Sequence, residues 1–242
     1  MAIKNRYIIF NWLFLFIGGI FLVTNITSCG KQSGASPTGL NIQYNVLNLS
    51  PDLGPINLFI NFTQVNAAGN PFIFAADHGY FYVPSIAIPF QFRSATVAAT
   101  PILQLNRNDI LQSGAKYTLF ITGSLGDNSL SPIFTVDTDF APKIGRGKLR
   151  FVNASPSATG GLDVYVNDTL AFGAVTYKNY SKYTELPVGN YELKITATGS
   201  ANVLKNQPSV TIQDGRLYTL YAYGYTSRAD SAAFNAAVIT NR

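Results

Sequence analysis

The sequence predicts an all-β protein: two tandem immunoglobulin-like antiparallel β-sandwich modules, preceded by an export signal and a flexible tether. Three observations favour this fold class. The phrase NLSPDLGPINLFIN, beginning at Asn48, recurs as NASPSATGGLDVYVN, beginning at Asn153. Aromatic residues make up 13% of the chain, and no amphipathic helix of useful length is found in either half. Because aromatic and β-branched residues fit a pleated surface, this composition favours strands.

The first 28 residues have the order of an export signal. Lys4 and Arg6 precede an apolar run over residues 7–23, as in secretory signal peptides. The segment ends in Ile-Thr-Ser directly before the only cysteine, Cys29, and so resembles a bacterial lipobox. That resemblance implies cleavage before Cys29 and a diacylglycerol on its thiol. Acyl chains such as palmitate would then hold the protein on a membrane.

An uncleaved transmembrane helix is the alternative, because the apolar run approaches the roughly 20 residues that a span needs. Asn11 and Asn25, together with the position of Cys29, favour the lipoprotein. Residues 29–40 are rich in Gly and Ser and predict a flexible tether. The expected location is the cell envelope, with the anchor in the outer membrane and the periplasmic or external face left open.

The internal repeat sets the predicted domain boundaries. GAKYTLFITG at 114–123 aligns with GRLYTLYAYG at 215–224. A period of about 100 residues is too long for a solenoid and suits two whole domains. We predict a first module over 41–137, a linker over 138–147 and a second module over 148–242.

The second module has the clearer strand pattern. Its predicted strands cover 149–152, 162–166, 191–195, 209–213, 216–223 and 233–240. Asp214-Gly215 predicts a hairpin between the strands at 209–213 and 216–223. Alternation places Leu162, Val164 and Val166 in the core, whereas Asp163 is expected to face solvent or to pair across strands. The fragment 145–242 is expected to fold alone.

The first module is less regular. Residues 72–75, 79–83, 89–93 and 133–136 resemble strands, and residues 63–71 resemble an enlarged loop. About seven short strands per copy, with turns at regular spacing, are typical of a β-sandwich.

Several motifs of the second copy resemble a bacterial family of domains of unknown function. The family signature runs R-F-V-H-A-S-P, then D-V-Y-V, then P-A-G-x-Y. The motifs that match are FVNASP at 151–156, LDVYV at 162–166, LPVGNY at 186–191 and YTLY at 218–221. The first copy departs from the signature with PSIAIP at 84–89. The resemblance implies tandem modules in exported or lipid-anchored envelope proteins, and it implies no activity.

The repeated Asn-x-Ser-Pro is expected to be structural. Proline stops the strand, and Asn153 and Ser155 can hydrogen-bond the backbone of the turn. A ligand-binding loop is the alternative.

Asp77 and the only histidine, His78, are the candidates for catalysis. They could serve an envelope hydrolase, although nucleophile, base and orienting group must all lie within hydrogen-bonding reach. No ligand spacing around His78 predicts a metal site, and no cofactor is predicted.

Two groups of charged residues are further candidates for binding sites. Asp137 and Asp139 could help to hold Ca²⁺, or they are solvated linker charges. The basic run over residues 143–150 could meet an anionic partner, or it is a solvated face. A formal net charge of +5, spread along the chain, does not predict nucleic-acid binding.

Tyrosines of the second copy provide the candidate binding surface. Alternation places Tyr221, Tyr223 and Tyr225 on one face of their strand, away from Tyr218. Exposed tyrosines would suit a glycan or an envelope protein, whereas ordinary cross-strand packing is the simpler explanation of the pattern. The sequence therefore predicts a non-catalytic envelope lipoprotein that binds, adheres or acts as a spacer.

Overall fold

The computed structural model describes residues 41–85, 89–97, 100–105 and 111–242. The predicted signal segment, Cys29 and the tether lie outside these residues. The described residues form sixteen β-strands and no helix. Among them, accordingly, there is no helix with the length and apolar character needed to span a membrane.

The first module contains eight strands in two four-stranded sheets. The strands are β1 (Asn41–Asn48), β2 (Ile56–Ile60), β3 (Thr63–Gln64), β4 (Phe81–Pro84), β5 (Phe90–Ser94), β6 (Pro101–Leu105), β7 (Lys116–Thr122) and β8 (Ser131–Val136). We call the sheet of order β4-β1-β7-β8 its inner sheet and the sheet of order β3-β2-β5-β6 its outer sheet.

The second module repeats this plan. Its strands are β9 (Arg146–Asn153), β10 (Leu162–Val166), β11 (Thr169–Val175), β12 (Thr184–Pro187), β13 (Gly189–Ala197), β14 (Val203–Ile212), β15 (Leu217–Tyr223) and β16 (Asn235–Thr240). The inner sheet has the order β12-β9-β15-β16 and the outer sheet β11-β10-β13-β14. The same order in both copies confirms two tandem β-sandwich modules.

Each inner sheet contains one parallel pair within an otherwise antiparallel arrangement. β1 pairs with β7, and β9 pairs with β15, in parallel. The sequence predicted antiparallel sheets of about seven strands, and β11 and β12 were not among the predicted strands. β11 follows a tight turn at Asn167-Asp168, where both residues have positive φ, the geometry of a two-residue hairpin.

Each module has its own apolar core between its two sheets. Leu162, Val164 and Val166 all lie in the core of the second module, as their alternation predicted. In the first module Phe72 is a core residue, but residues 72–75 form only isolated bridges instead of the predicted strand.

Of the two positions predicted for Asp163, the structure shows the second: its side chain does not face solvent but bonds to neighbouring segments of the sheet. It is buried, and its carboxylate accepts hydrogen bonds from Ala174 N at 2.7 Å, Thr198 Oγ1 at 3.2 Å and Gly199 N at 3.2 Å. Burial opposes ionisation, but these bonds outweigh burial and lower the pKa of Asp163. The residue points away from the core and fastens two neighbouring segments of the outer sheet.

The predicted hairpin at Asp214-Gly215 is wrong. β14 pairs with β13 in the outer sheet, whereas β15 lies in the inner sheet between β9 and β16. The turn therefore passes from one sheet to the other. Asp214 Oδ1 accepts bonds from Gly145 N at 2.8 Å and Arg146 N at 3.2 Å, which fixes the crossing against the start of β9.

Candidate functional site

The inner sheets of the two modules pack against each other through one buried apolar cluster. Its members are Leu47, Leu49, Phe120 and Ile133 from the first module and Val152, Ala154, Tyr221, Tyr223 and Ile239 from the second. The rings of Phe120 and Tyr221 lie 5.6 Å apart. Thr122 Oγ1 also donates to Ala154 O at 2.6 Å across the contact. Each inner sheet is thus covered on both faces.

This packing overturns the predicted binding surface. Tyr221 is 2% exposed and Tyr223 is 7% exposed. Alternation correctly placed them away from their own core, but the first module covers that face of the sheet. The ring centres of Phe74 and Tyr223, for example, lie 6.1 Å apart. Burial raises the pKa of Tyr221, as expected for a phenol removed from water.

Tyr225 lies apart from the other two predicted tyrosines. It is half-buried and lines a cavity of about 130 Å³ with Asp52, Ser124 and Arg228. Asp52 accepts bonds from Ser124 Oγ at 2.7 Å and from Gly126 N at 2.9 Å. Burial opposes the ionisation of Asp52, but hydrogen bonds to the β7–β8 turn outweigh it and hold the pKa of this carboxyl well below its usual range. The Asp52 carboxylate therefore holds the β7–β8 turn in place.

A buried polar cluster forms the other half of the contact between the modules. Arg150 makes an ion pair with Asp137 and donates from Nη1 to Val136 O at 2.7 Å. Asp137 Oδ2 also accepts from Tyr80 OH at 2.7 Å and Thr118 Oγ1 at 2.5 Å. A buried charge is tolerated only when it is paired and hydrogen-bonded, and here both partners are.

These contacts correct two predictions from the charged residues. Asp137 is fully buried against Arg150, and Asp139 pairs with Lys148 at 2.8 Å, so neither carboxylate is free to hold Ca²⁺. Of the basic run, Arg150 and Lys148 are paired with carboxylates, whereas the side chain of Lys143 is exposed. The described residues contain no group of three or more His, Cys, Asp or Glu side chains placed to hold a metal.

The polar cluster uses equivalent positions of the two copies, which sequence reasoning missed. Tyr80, Thr118 and Asp137 of the first module correspond to Tyr183, Thr219 and Asn241 of the second, each at the same place relative to its strands. Thr219 Oγ1 donates to Asn241 Oδ1 at 2.7 Å, and Asn241 Nδ2 donates to Tyr80 OH at 2.8 Å. Extending the repeat alignment beyond its conspicuous motifs would have paired these positions.

The repeated Asn-x-Ser-Pro has a structural role in both copies. Asn48 Nδ2 donates to Gly54 O at 2.8 Å, and Asn153 Nδ2 donates to Val175 O at 2.9 Å. Each asparagine also accepts from the serine amide two residues later. The side chains are buried and hydrogen-bond backbone groups of the loop, as predicted for a structural turn. Because they are buried, they are not accessible to a ligand.

Asp77 and His78 do not form the pair that a hydrolase would need. Asp77 Oδ1 accepts from Asn45 Nδ2 and from Gly79 N, both at 2.9 Å. The ring of His78 packs edge-on against Phe72 at 5.5 Å, and its Nε2 has no hydrogen-bond partner among the described residues. The two side chains therefore serve different contacts.

An open groove beside the intermodule contact is the strongest candidate binding site. It has a volume of about 580 Å³ and lies between the end of β8 and the segment before β12. Its lining residues include Val136, Thr138, Asp139, Tyr180, Lys182 and Tyr183. A second cavity of about 520 Å³ along β11 shares Tyr180, Ser181 and Lys182 with it. Tyr180, 47% exposed, therefore stands between two adjoining cavities.

Arg150 supports the aromatic wall of this groove from inside. Its guanidinium carbon lies 4.7 Å from the ring centre of Tyr183 and 5.9 Å from that of Tyr180, within the range of cation–π attraction. Burial raises the pKa of Tyr183 to about 12, against the opposing charge of Arg150. The groove thus offers two phenol rings, one of them half-exposed, together with polar groups of Asp139, Ser181 and Lys182.

A family model described as a domain of unknown function (DUF4397) matches residues 43–160 and 157–242. No curated protein matches the chain with significance.

Comparison with solved structures gives a distant likeness. A leucine-rich repeat protein from Bacteroides thetaiotaomicron is 16% identical, with a TM-score of 0.21. The match covers 74% of this chain and 25% of that protein, so the chain spans about a quarter of its length.

Proposed function

Because the chain belongs to the DUF4397 family of domains of unknown function, whose description carries no activity, we propose its role from its own residues. The protein is a non-catalytic lipoprotein of the cell envelope, anchored through Cys29 to the outer membrane. Its tandem sandwiches bind a glycan in the groove beside Tyr180. The observation that carries this proposal is the half-exposed Tyr180 between two adjoining cavities.

The groove has the size and chemistry of a small-molecule site. Ligand sites commonly measure about 300–1,000 Å³ and combine aromatic walls with a few polar groups. Tyrosine gives rigid, amphipathic contact area at low entropic cost. The apolar face of a sugar ring can lie on Tyr180, while Asp139 and Lys182 are placed to bond hydroxyl groups. A rigid wall supports this role, because Arg150 is fixed by Asp137.

A glycan array with residues 41–242 tests the proposed groove. Tyr180→Ala is expected to weaken binding of any captured glycan by at least about tenfold, the loss expected for one well-packed aromatic anchor. Tyr82→Ala is the matched control, because Tyr82 is similarly exposed but lies on β4 of the first module. Blank arrays with a positive pull-down would replace the glycan by a protein partner. Two blank screens would leave only a spacer role.

The anchor is tested separately in cells. Cys29→Ser is expected to block lipid attachment and cleavage, so that the variant remains a full-length precursor while the wild-type protein enters the detergent phase. A wild-type protein whose intact mass still includes residues 1–28 would contradict the proposed anchor. Protease treatment of intact cells decides whether the modules face outward or into the periplasm.

A further inference from the structure

The chain enters the first module at the end where the linker leaves it. β1 begins at Asn41, whose carbonyl accepts from Gly114 N at 2.8 Å. At the same end β7 begins at Lys116, and Asp137 N, just after β8, donates to Lys116 O at 2.8 Å. The tether that precedes β1 therefore reaches the fold on the side of the linker loop, which we define as residues 138–145.

The linker loop exposes its apolar side chains. Phe140 is 88% exposed and Ile144 is 97% exposed. The loop is nevertheless fastened at both ends: Lys148 Nζ binds Asp139 and donates to Phe140 O at 3.0 Å, and Asp214 binds the amide of Gly145. Such fastening holds the loop in place, so that it presents two large apolar side chains, Phe140 and Ile144, to solvent.

Basic residues lie at the same end of the molecule as these two side chains. Lys143 lies between them in the loop and is exposed. Arg216 and Arg242 are also exposed, and each follows a residue whose backbone N–H donates to the first residue of a strand of the second inner sheet: Gly215 N to Arg146 O, and Asn241 N to Leu217 O. The acidic groups of this end are Asp139, Asp214 and Glu185. Asp139 is neutralised by Lys148, Asp214 is engaged with backbone amides, and Glu185 Oε1 accepts from Lys143 N at 3.4 Å. Apolar side chains beside basic ones are the chemistry of an anionic membrane surface.

We propose that the linker-loop end of the molecule lies on the lipid bilayer, with Phe140 and Ile144 inserted at the headgroup level. This inference rests on the proposed lipid anchor at Cys29. The chain between Cys29 and Asn41 is long enough to reach at most about 40 Å. The tether therefore permits contact, and the loop supplies the attraction that makes one end of the molecule face the membrane.

A single tryptophan placed in the loop reports this contact. The only tryptophan of the chain is Trp12 and the only cysteine is Cys29, so residues 29–242 contain no tryptophan and one thiol. Phe140→Trp in this fragment, coupled through Cys29 to maleimide-bearing lipid in phosphatidylethanolamine–phosphatidylglycerol vesicles, reproduces the anchor chemically. The result is thus independent of whether cells lipidate Cys29. Leu125→Trp is the control, because Leu125 is 43% exposed in the β7–β8 turn at the opposite end.

The expected result is a blue-shifted emission of the Phe140→Trp protein and strong quenching by brominated acyl chains, with neither change for Leu125→Trp. Without coupling, replacing Phe140 and Ile144 by serine should lower vesicle binding on the order of tenfold for each residue. Equal quenching of both tryptophans, quenching of Leu125→Trp alone, or quenching of neither would overturn the proposed orientation.

Discussion

The ion pair of Arg150 and Asp137 is the residue-scale feature on which the contact between the modules depends most. Both side chains are removed from water, and Asp137 also accepts from Tyr80 and Thr118. Removing one partner of a buried pair leaves an uncompensated charge, which typically costs about 3–5 kcal/mol. In the second module the position equivalent to Asp137 is occupied by a neutral residue, Asn241, which accepts a hydrogen bond from Thr219.

Arg150→Met is therefore expected to lower the free energy of unfolding of residues 41–242 by about 3–5 kcal/mol. Adding Asp137→Asn should restore more than half of this loss, because the amide keeps an acceptor for Tyr80 and Thr118 without the charge. Urea unfolding of the wild type, the two single variants and the double variant measures these values. A double variant as unstable as the sum of the single changes would show that the pair is not coupled.

Asp163 gives a second residue-scale prediction. Asp163→Asn should destabilise the protein by about 1–3 kcal/mol, because an amide cannot accept from Ala174 and Gly199 at once with both of its polar atoms. Asp168→Asn is the control: Asp168 is an exposed acid whose carboxylate bonds to Lys194, and the change should alter stability by less than about 0.5 kcal/mol. Equal urea midpoints for the two variants would contradict the role given to Asp163.

The sequence predicts which face of a strand a side chain lies on more reliably than it predicts whether that side chain is exposed to solvent. Period-two alternation placed Val164 inward and Tyr221 outward correctly, because it depends only on strand geometry. Exposure of an outward residue depends on what covers the sheet. Alternation within one strand carries no information about a second module, so Tyr221 and Tyr223 were predicted as a surface and Tyr180 was missed.

At the scale of elements, the turn after the seventh strand of each module requires glycine. Gly123 and Gly224 have positive φ, and a Cβ at either position would lie 2.3 or 2.4 Å from a carbonyl oxygen, that of Ser129 or Ala233. Only a residue without Cβ fits such a close approach. The two glycines let the last hairpin of each inner sheet close.

Gly224→Ala should accordingly cost more than about 2 kcal/mol, the sum of backbone strain and displacement of the neighbouring strand. Gly215→Ala is the matched control. Gly215 has a similar φ of +72° but open space around its Cβ position, so strain alone, about 1 kcal/mol, should appear. Thermal unfolding of both variants tests the difference, and identical melting temperatures would contradict the steric explanation.

Local signals predicted where the chain turns but not which strands then pair. Asp214-Gly215 does form a turn, yet it joins β14 of the outer sheet to β15 of the inner sheet. The parallel pairing of β9 with β15 has no local sequence signal, because strands distant in the chain form it. Every residue of β15 is buried, which fits a strand covered on both faces.

At the scale of the whole molecule, the two modules meet through the same face of the same fold. Phe120 and Tyr221 occupy equivalent positions, and their rings contact each other. Contact between equivalent surfaces is the arrangement of a two-fold dimer. The tandem protein thus resembles a dimer joined by a linker, with Asp137 and Arg150 making its two halves unequal.

The isolated second module, residues 145–242, should fold, because its core lies between its own sheets. Its inner sheet would then expose Val152, Tyr221 and Tyr223, so we expect the fragment to self-associate through this face. Sedimentation over a range of concentrations measures the association, and Tyr221→Lys should abolish it without unfolding the fragment. A wild-type fragment that stays monomeric like the variant would contradict this expectation.

We expect the buried contact between the inner sheets to join both sandwiches into one structural unit, and calorimetry of residues 41–242 measures whether it does. A single transition is expected, with a van't Hoff enthalpy equal to the calorimetric enthalpy, about 140 kcal/mol for roughly 200 residues near 60 °C. Two transitions, or a van't Hoff enthalpy near half of the calorimetric value, would show instead that the modules unfold independently.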